Sequence, residues 1–122
     1  MIKTLILTIS ILCICRVLWA DTASHYTVAS CQKEGTSGIW TASGERFDEN
    51  ALTCAMRSRE WGAKYKITNL ANGKSVIVTL NDFGPNKRLW NAGRKADLSI
   101  GAFKEIANPR VGVIKVKIEK VR

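Results

Sequence analysis

The chain has 122 residues, a formal net charge of +9, four cysteines and a single histidine. That length holds one domain; Cys31 and Cys54 with the lone histidine fall short of the four ligands of a structural zinc site, and no phosphate-binding glycine loop, dinucleotide fingerprint or Ser-His-Asp order is present. The basic excess asks for an acidic partner or none, but the lysines and arginines are scattered rather than blocked, which argues against nucleic acid.

In chain order, the first segment reads as a leader. Lys3 supplies a positive start, residues 5–14 form an apolar run, and Ala20 is a small residue just before Asp21. This is the layout of a cleaved secretory signal peptide over residues 1–20. The apolar run is shorter than the roughly 20 residues a spanning helix needs, so export with no stable membrane span is expected, with one domain over residues 21–122. Lipid attachment through Cys15 is poorly supported, because Ile14 stands where a small residue is wanted. Cleavage leaves Cys31 and Cys54. An even count in an exported domain reads as one disulfide, worth about 3 kcal/mol; two buried free thiols are the alternative. His25, near the expected mature N-terminus, is assigned no role.

Residues 49–57 read as a short helix, with Asp48 or Asn50 near its start and Leu52, Cys54 and Ala55 turned inward. Residues 64–70 and 75–80 read as strands. Asn72-Gly73 between them is the signal of a type I′ hairpin turn, in which both central residues take positive φ. Ser99 is placed to cap a second helix over 100–107, which Asn108-Pro109 ends. Ile114, Val116 and Ile118 then alternate with Lys115, Lys117 and Glu119, the pattern of a half-buried strand. Short strands with two small helices in about a hundred residues suggest a compact, mainly β barrel.

Three segments each carry an aspartate beside turn-forming or glycine-rich backbone: Thr41-Ala42-Ser43-Gly44-Glu45-Arg46-Phe47-Asp48, Asn81-Asp82-Phe83-Gly84-Pro85 and Gly93-Arg94-Lys95-Ala96-Asp97-Leu98-Ser99. Loops on a rigid scaffold are where binding and catalytic groups concentrate. From about Tyr26 to Val121, the order and wording of these segments resemble the rare lipoprotein A (RlpA) family of peptidoglycan lytic transglycosylases. The resemblance implies a six-stranded double-psi β-barrel in the periplasm or cell wall. It also implies cleavage of the β-1,4 bond between N-acetylmuramic acid and N-acetylglucosamine of peptidoglycan glycan strands. In that reaction the muramic C6 hydroxyl attacks its own anomeric carbon and leaves a 1,6-anhydro sugar, so one carboxyl group can give a proton and later take one. No cofactor or metal is implied, and a monomer is expected.

Three aspartates compete for the role of acid. Asp97 leads, because the resemblance extends to related double-psi barrels, expansins among them, that place a key aspartate in a similar Asp-Leu-Ser setting; a turn residue ahead of the Ser99 helix is the plain alternative. Asp48 is either a helix cap worth about 1 kcal/mol or the aspartate that the family pairs with a histidine eight positions later. Here that later position is Met56, which cannot shuttle a proton. Asp82 is an Asx-turn residue before Gly84-Pro85 or a third carboxylate of the cleft; the family commonly has arginine where this chain has Phe83. Arg94 is placed to orient a substrate carboxylate or to hold Asp97 ionised, and Glu45 to contact the glycan. Trp90, in a loop, is read as a sugar-stacking ring, whereas Trp40 and Trp61 are read as core. The absent histidine opens a second reading, an expansin-like module that binds wall glycan without cutting it.

Overall fold

The computed structural model describes the backbone of residues 21–33 and 40–122 and the side chains of residues 21–30 and 40–122. The expected signal peptide over residues 1–20, Cys15 within it, and the side chain of Cys31 lie outside the described residues. Six strands are formed: β1 (Asp21–Tyr26), β2 (Thr53–Met56), β3 (Lys64–Asn69), β4 (Ser75–Phe83), β5 (Arg94–Ser99) and β6 (Ile114–Val121). They close into a barrel in the order β1-β5-β2-β4-β3-β6. Two neighbouring pairs, β1 with β5 and β2 with β4, run parallel, and the other pairs run antiparallel.

Closure follows from period-two patterning, because successive side chains of a strand point to opposite faces. Val76, Val78 and Leu80 of β4 are buried, as are Ile114 and Val116 of β6, while Ile77, Lys115 and Lys117 face outward. Among the described residues, three short α-helices decorate the barrel: α1 (Val28–Lys33), α2 (Lys87–Asn91) and α3 (Ile100–Ile106). Ser99 caps α3 as expected, its side chain accepting from the Ala102 N–H at 3.2 Å. The helix buries Ala102, Phe103 and Ile106 in the core; full burial of a side chain such as Phe103 contributes about 1.5–3 kcal/mol. Its last carbonyl is also satisfied, since Ile106 O accepts from the amides of Asn69 (2.8 Å) and Asn72 (3.0 Å), partners that a helix end requires.

Two local expectations are corrected. Residues 49–57 form no helix: after bends at Ala51 and Leu52, Thr53–Met56 become β2, held between β4 and β5. Pairing on both edges outweighs the weak local helix preference of this segment. The β3–β4 hairpin forms, but with a different turn. Only Gly73 has positive φ, at 75°, and the Gly73 N–H donates to Asn69 O at 2.8 Å. Asn72 keeps negative φ and instead accepts from the Lys74 N–H at 2.9 Å. α1 and α2 were not anticipated. α2 has a legible cap, with Asn86 Oδ1 accepting from the Leu89 N–H at 3.0 Å.

His25 is firmly placed in β1 rather than idle at a terminus. Its Nε2 donates to Pro109 O at 2.9 Å, and its ring stands edge-on to Phe103 with centroids 4.7 Å apart. Among the described residues, no helix is long and apolar enough to cross a membrane.

Candidate functional site

The site is organised by one rung that runs across four strands. Ser24 of β1 is opposite Asp97 of β5, Asp97 is opposite Ala55 of β2, and Ala55 is opposite Asp82 of β4. Residues on one rung share a face of the sheet. The two carboxylates therefore flank the small Ala55 side chain, two strand spacings or about 10 Å apart along the rung. Ala55 is 5% exposed, and both aspartates are half-buried.

A β-bulge sets this alignment. Cys54 is opposite Leu80, yet the next residue, Ala55, is opposite Asp82, so Asn81 is the extra residue of β4. Bulges re-aim side chains in this way, often beside functional sites. Asn81 is 3% exposed, and its Oδ1 is buried without a hydrogen-bond partner.

The two aspartates are held differently. Asp97 Oδ1 accepts a 2.5 Å hydrogen bond from the Ser24 hydroxyl. Asp82 Oδ1 accepts from two backbone N–H groups, of Ala42 at 3.0 Å and of Phe83 at 2.9 Å. Asp82 thus ties the turn at 41–45 to β4, helped by the Ser43 N–H donating to Asn81 O at 3.2 Å. The turn itself is closed by the Thr41 N–H donating to Glu45 O at 2.9 Å, and Gly44 supplies the φ of 90° it needs. Behind the rung, Cys54 is a buried free thiol. Burial pushes it up to about 12, and the nearby Asp97 carboxylate adds to the shift. The expectation of Cys54 as half of a disulfide with Cys31 is thereby corrected: its side chain packs into the barrel interior among Leu80 and Leu98.

The other candidates are spread around this rung. Asp48 is exposed and its contact is local, its Oδ1 accepting from the Asn50 N–H at 2.9 Å. It heads no helix, so the capping role expected of it becomes an Asx turn. Glu45 presents its side chain to solvent at the turn that Asp82 anchors. Arg94 opens β5 opposite Thr22 and is half-buried. Met56 is 6% exposed and belongs to the core.

The aromatic expectations divide. Trp61 packs partly against the core as expected, but Trp40 is 62% exposed and so is not a core residue. Trp90 is not in an open loop; it is a half-buried residue of α2. Lys95 Nζ lies 4.1 Å from its ring centroid and 3.1 Å from its carbonyl oxygen, a cation–π contact that covers one face of the ring. Ser24 and Ala55 escaped the sequence reading, because neither residue type carries a signal until its strand is paired.

Comparison with known proteins gives the family and the fold. A family model described as "Lytic transglycolase" matches residues 19–118. A Synechocystis protein named "Probable endolytic peptidoglycan transglycosylase RlpA" is 44% identical over 95 residues, 78% of this chain and 28% of its own length. The "Endolytic peptidoglycan transglycosylase RlpA" of Rickettsia felis is 42% identical over 88 residues, 72% of this chain and 37% of its own. The chain thus spans between 28% and 37% of the length of these two relatives. Among solved structures, the Streptomyces papain inhibitor superposes with a TM-score of 0.63 at 20% identity, covering 84% of this chain and 93% of that one. The apo expansin of Clavibacter michiganensis gives 0.60 at 21% identity, covering 84% and 49%. At these identities the structural neighbours speak for the fold alone, a double-psi β-barrel. The family match over residues 19–118 shows more: this chain belongs to the lytic transglycolase family of double-psi β-barrels.

Proposed function

We propose that the protein is a peptidoglycan lytic transglycosylase, cleaving the β-1,4 bond between N-acetylmuramic acid and N-acetylglucosamine to leave 1,6-anhydro ends. The observation that carries this reading is the Ser24–Asp97–Ala55–Asp82 rung, two carboxylates flanking a small residue on one face of the barrel. Relatives named as endolytic peptidoglycan transglycosylases support it. Asp97, protonated, gives its proton to the glycosidic oxygen as the bond to the anomeric carbon breaks. Its carboxylate then takes the proton of the C6 hydroxyl as that oxygen bonds to the same carbon. The Ser24 hydroxyl steadies Asp97 while it is charged. Asp82, pinned by two N–H groups, serves as a fixed negative group toward the cation-like sugar. Arg94, Trp90 and Glu45 are assigned to glycan binding at the margins, and Asp48 to a supporting role. The protein acts as a monomer in the periplasm or cell wall.

The test is incubation with purified sacculi. The wild type releases anhydro-muropeptides detectable by mass spectrometry, and Asp97→Asn does not while still melting cooperatively. Release undiminished in Asp97→Asn would remove the acid from the mechanism.

A second reading, an expansin-like binding module, rests on Met56 occupying the core where the resembled family has histidine. In that case sacculi retain the protein but gain no anhydro ends. Met56→His separates the two: it raises release if an imidazole is the missing partner, and leaves a binding module inactive.

A further inference from the structure

One rung beyond Asp82, β4 ends at Phe83, which is opposite Met56. Two guanidinium groups converge on this ring. The carbon at the centre of the Arg57 guanidinium lies 4.9 Å from its centroid, and that of Arg59 lies 4.4 Å from it. Arg57 Nη1 also donates to Pro85 O at 3.2 Å, which fixes one edge of its fork. The ring quadrupole attracts each cation, but the two cations repel one another. Among the described residues, no acidic side chain forms an ion pair with either arginine. The ion pairs found among the described residues are Lys117–Glu119 and Lys120–Glu60, and the Asp82 oxygen that makes hydrogen bonds is turned to the N–H groups of Ala42 and Phe83. Positive charge is thus gathered and pre-oriented at the end of β4, one residue past Asp82 in the chain, without an acidic partner among the described residues.

Guanidinium forks match carboxylates in shape and bind them through parallel charge-assisted hydrogen bonds. We propose that Arg57 and Arg59, drawn together on Phe83 at the end of β4, form an anion subsite that holds a carboxylate of the glycan strand. The assignment rests on the glycan reading above and adds to it a residue-level account of how an acidic strand is told from a neutral one. The carboxylate has two sources in such a polymer, the lactyl group of the muramic sugar and the peptide attached to it.

Calorimetric titration with three oligosaccharides tests the subsite: muramic-acid oligomers with the lactyl carboxylate free, the same oligomers with the stem peptide attached, and neutral N-acetylglucosamine oligomers. The wild type binds at least one acidic oligomer more tightly than the neutral one, and added salt weakens only the acidic complex. Arg59→Gln, at an exposed position where refolding is not at stake, weakens the acidic complex roughly tenfold and leaves the neutral one unchanged. Arg59→Lys, which keeps the charge but loses the fork, falls between. Preference for the free lactyl form assigns the carboxylate to the sugar, and preference for the peptide form assigns it to the peptide. Equal losses on acidic and neutral oligomers, or no loss in Arg59→Gln and Arg57→Gln alike, would overturn the subsite while leaving glycan binding intact. Absence of binding to all three by the wild type would overturn the glycan reading and the subsite with it.

Discussion

The Ser24 hydroxyl donates a 2.5 Å hydrogen bond to Oδ1 of Asp97, joining β1 to β5 across 73 residues of chain. It crosses the parallel rung on which the two residues are partners. The bond gives the candidate acid a set orientation from a neighbouring strand rather than from a loop, and strands hold a side chain more precisely than loops do. Ser24 acts through Asp97, so it is a positioning residue whose effects must be read at Asp97.

Ser24→Ala is expected to slow release of anhydro-muropeptides from sacculi by roughly tenfold, the scale of one hydrogen bond to a charged group. Ser24→Thr, which keeps the hydroxyl, restores most of the rate. Equal losses in both variants would point to packing, not to the hydrogen bond.

Asp82 is expected to matter first for stability. Asp82→Ala leaves the Ala42 and Phe83 N–H groups without their acceptor and costs about 2 kcal/mol in urea unfolding. Asp82→Asn keeps an oxygen in place and costs less. A fully stable Asp82→Ala protein would show that solvent replaces both bonds without penalty.

Cys54 gives a pH signature. Its folded pKa is raised to about 12 from the ordinary 9.0, mainly by burial. The fold therefore prefers the neutral thiol: this contribution is whole below pH 9.0 and fades as pH climbs toward 12. Iodoacetamide at neutral pH should label Cys54 only after denaturation, as followed by intact mass. Rapid labelling of the native protein would contradict a buried thiol, and no labelling in denaturant without reductant would indicate a disulfide.

Gly101 has no room for a side chain. A Cβ there would stand 2.4 Å from Asn50 O and 2.7 Å from Asn50 C, both backbone atoms. The Gly101 N–H also donates to Glu49 O at 2.8 Å, locking the loop before β2 onto the start of α3. Gly101→Ala should lower stability by about 3 kcal/mol or more, seen as a large drop in Tm. An unchanged Tm would mean that the loop yields freely.

The strands with clear alternation were legible before any pairing was known. In β6 the branched residues recur every second position, and burial of one face follows directly; β4 was marked as a strand by its run of branched residues, of which Val76 and Val78 turn inward. Ser99 and Asn108-Pro109 likewise marked the bounds of α3, because capping and proline chemistry are local. β2 was not legible. Its four residues carry no alternation and resemble a helical turn until β4 and β5 hold them extended on both edges. The three aspartates were found as candidates from turn chemistry, but their grouping was not. Asp97 and Asp82 share a rung only because Asn81 is an extra residue in β4, whereas Asp48 lies in the segment before β2.

By itself, the order of amino acids determined a compact, mainly β barrel and the segments where aspartates sit beside turns, since these follow from periodicity and turn preference within a few neighbours; the double-psi type came from the family resemblance. Which carboxylates meet, and which partner orients them, was decided by the closed barrel. Ser24, Ala55, Asp82 and Asp97 come from four strands, and they line up through a register that includes a bulge, a property of strand pairing between distant segments that no local stretch encodes.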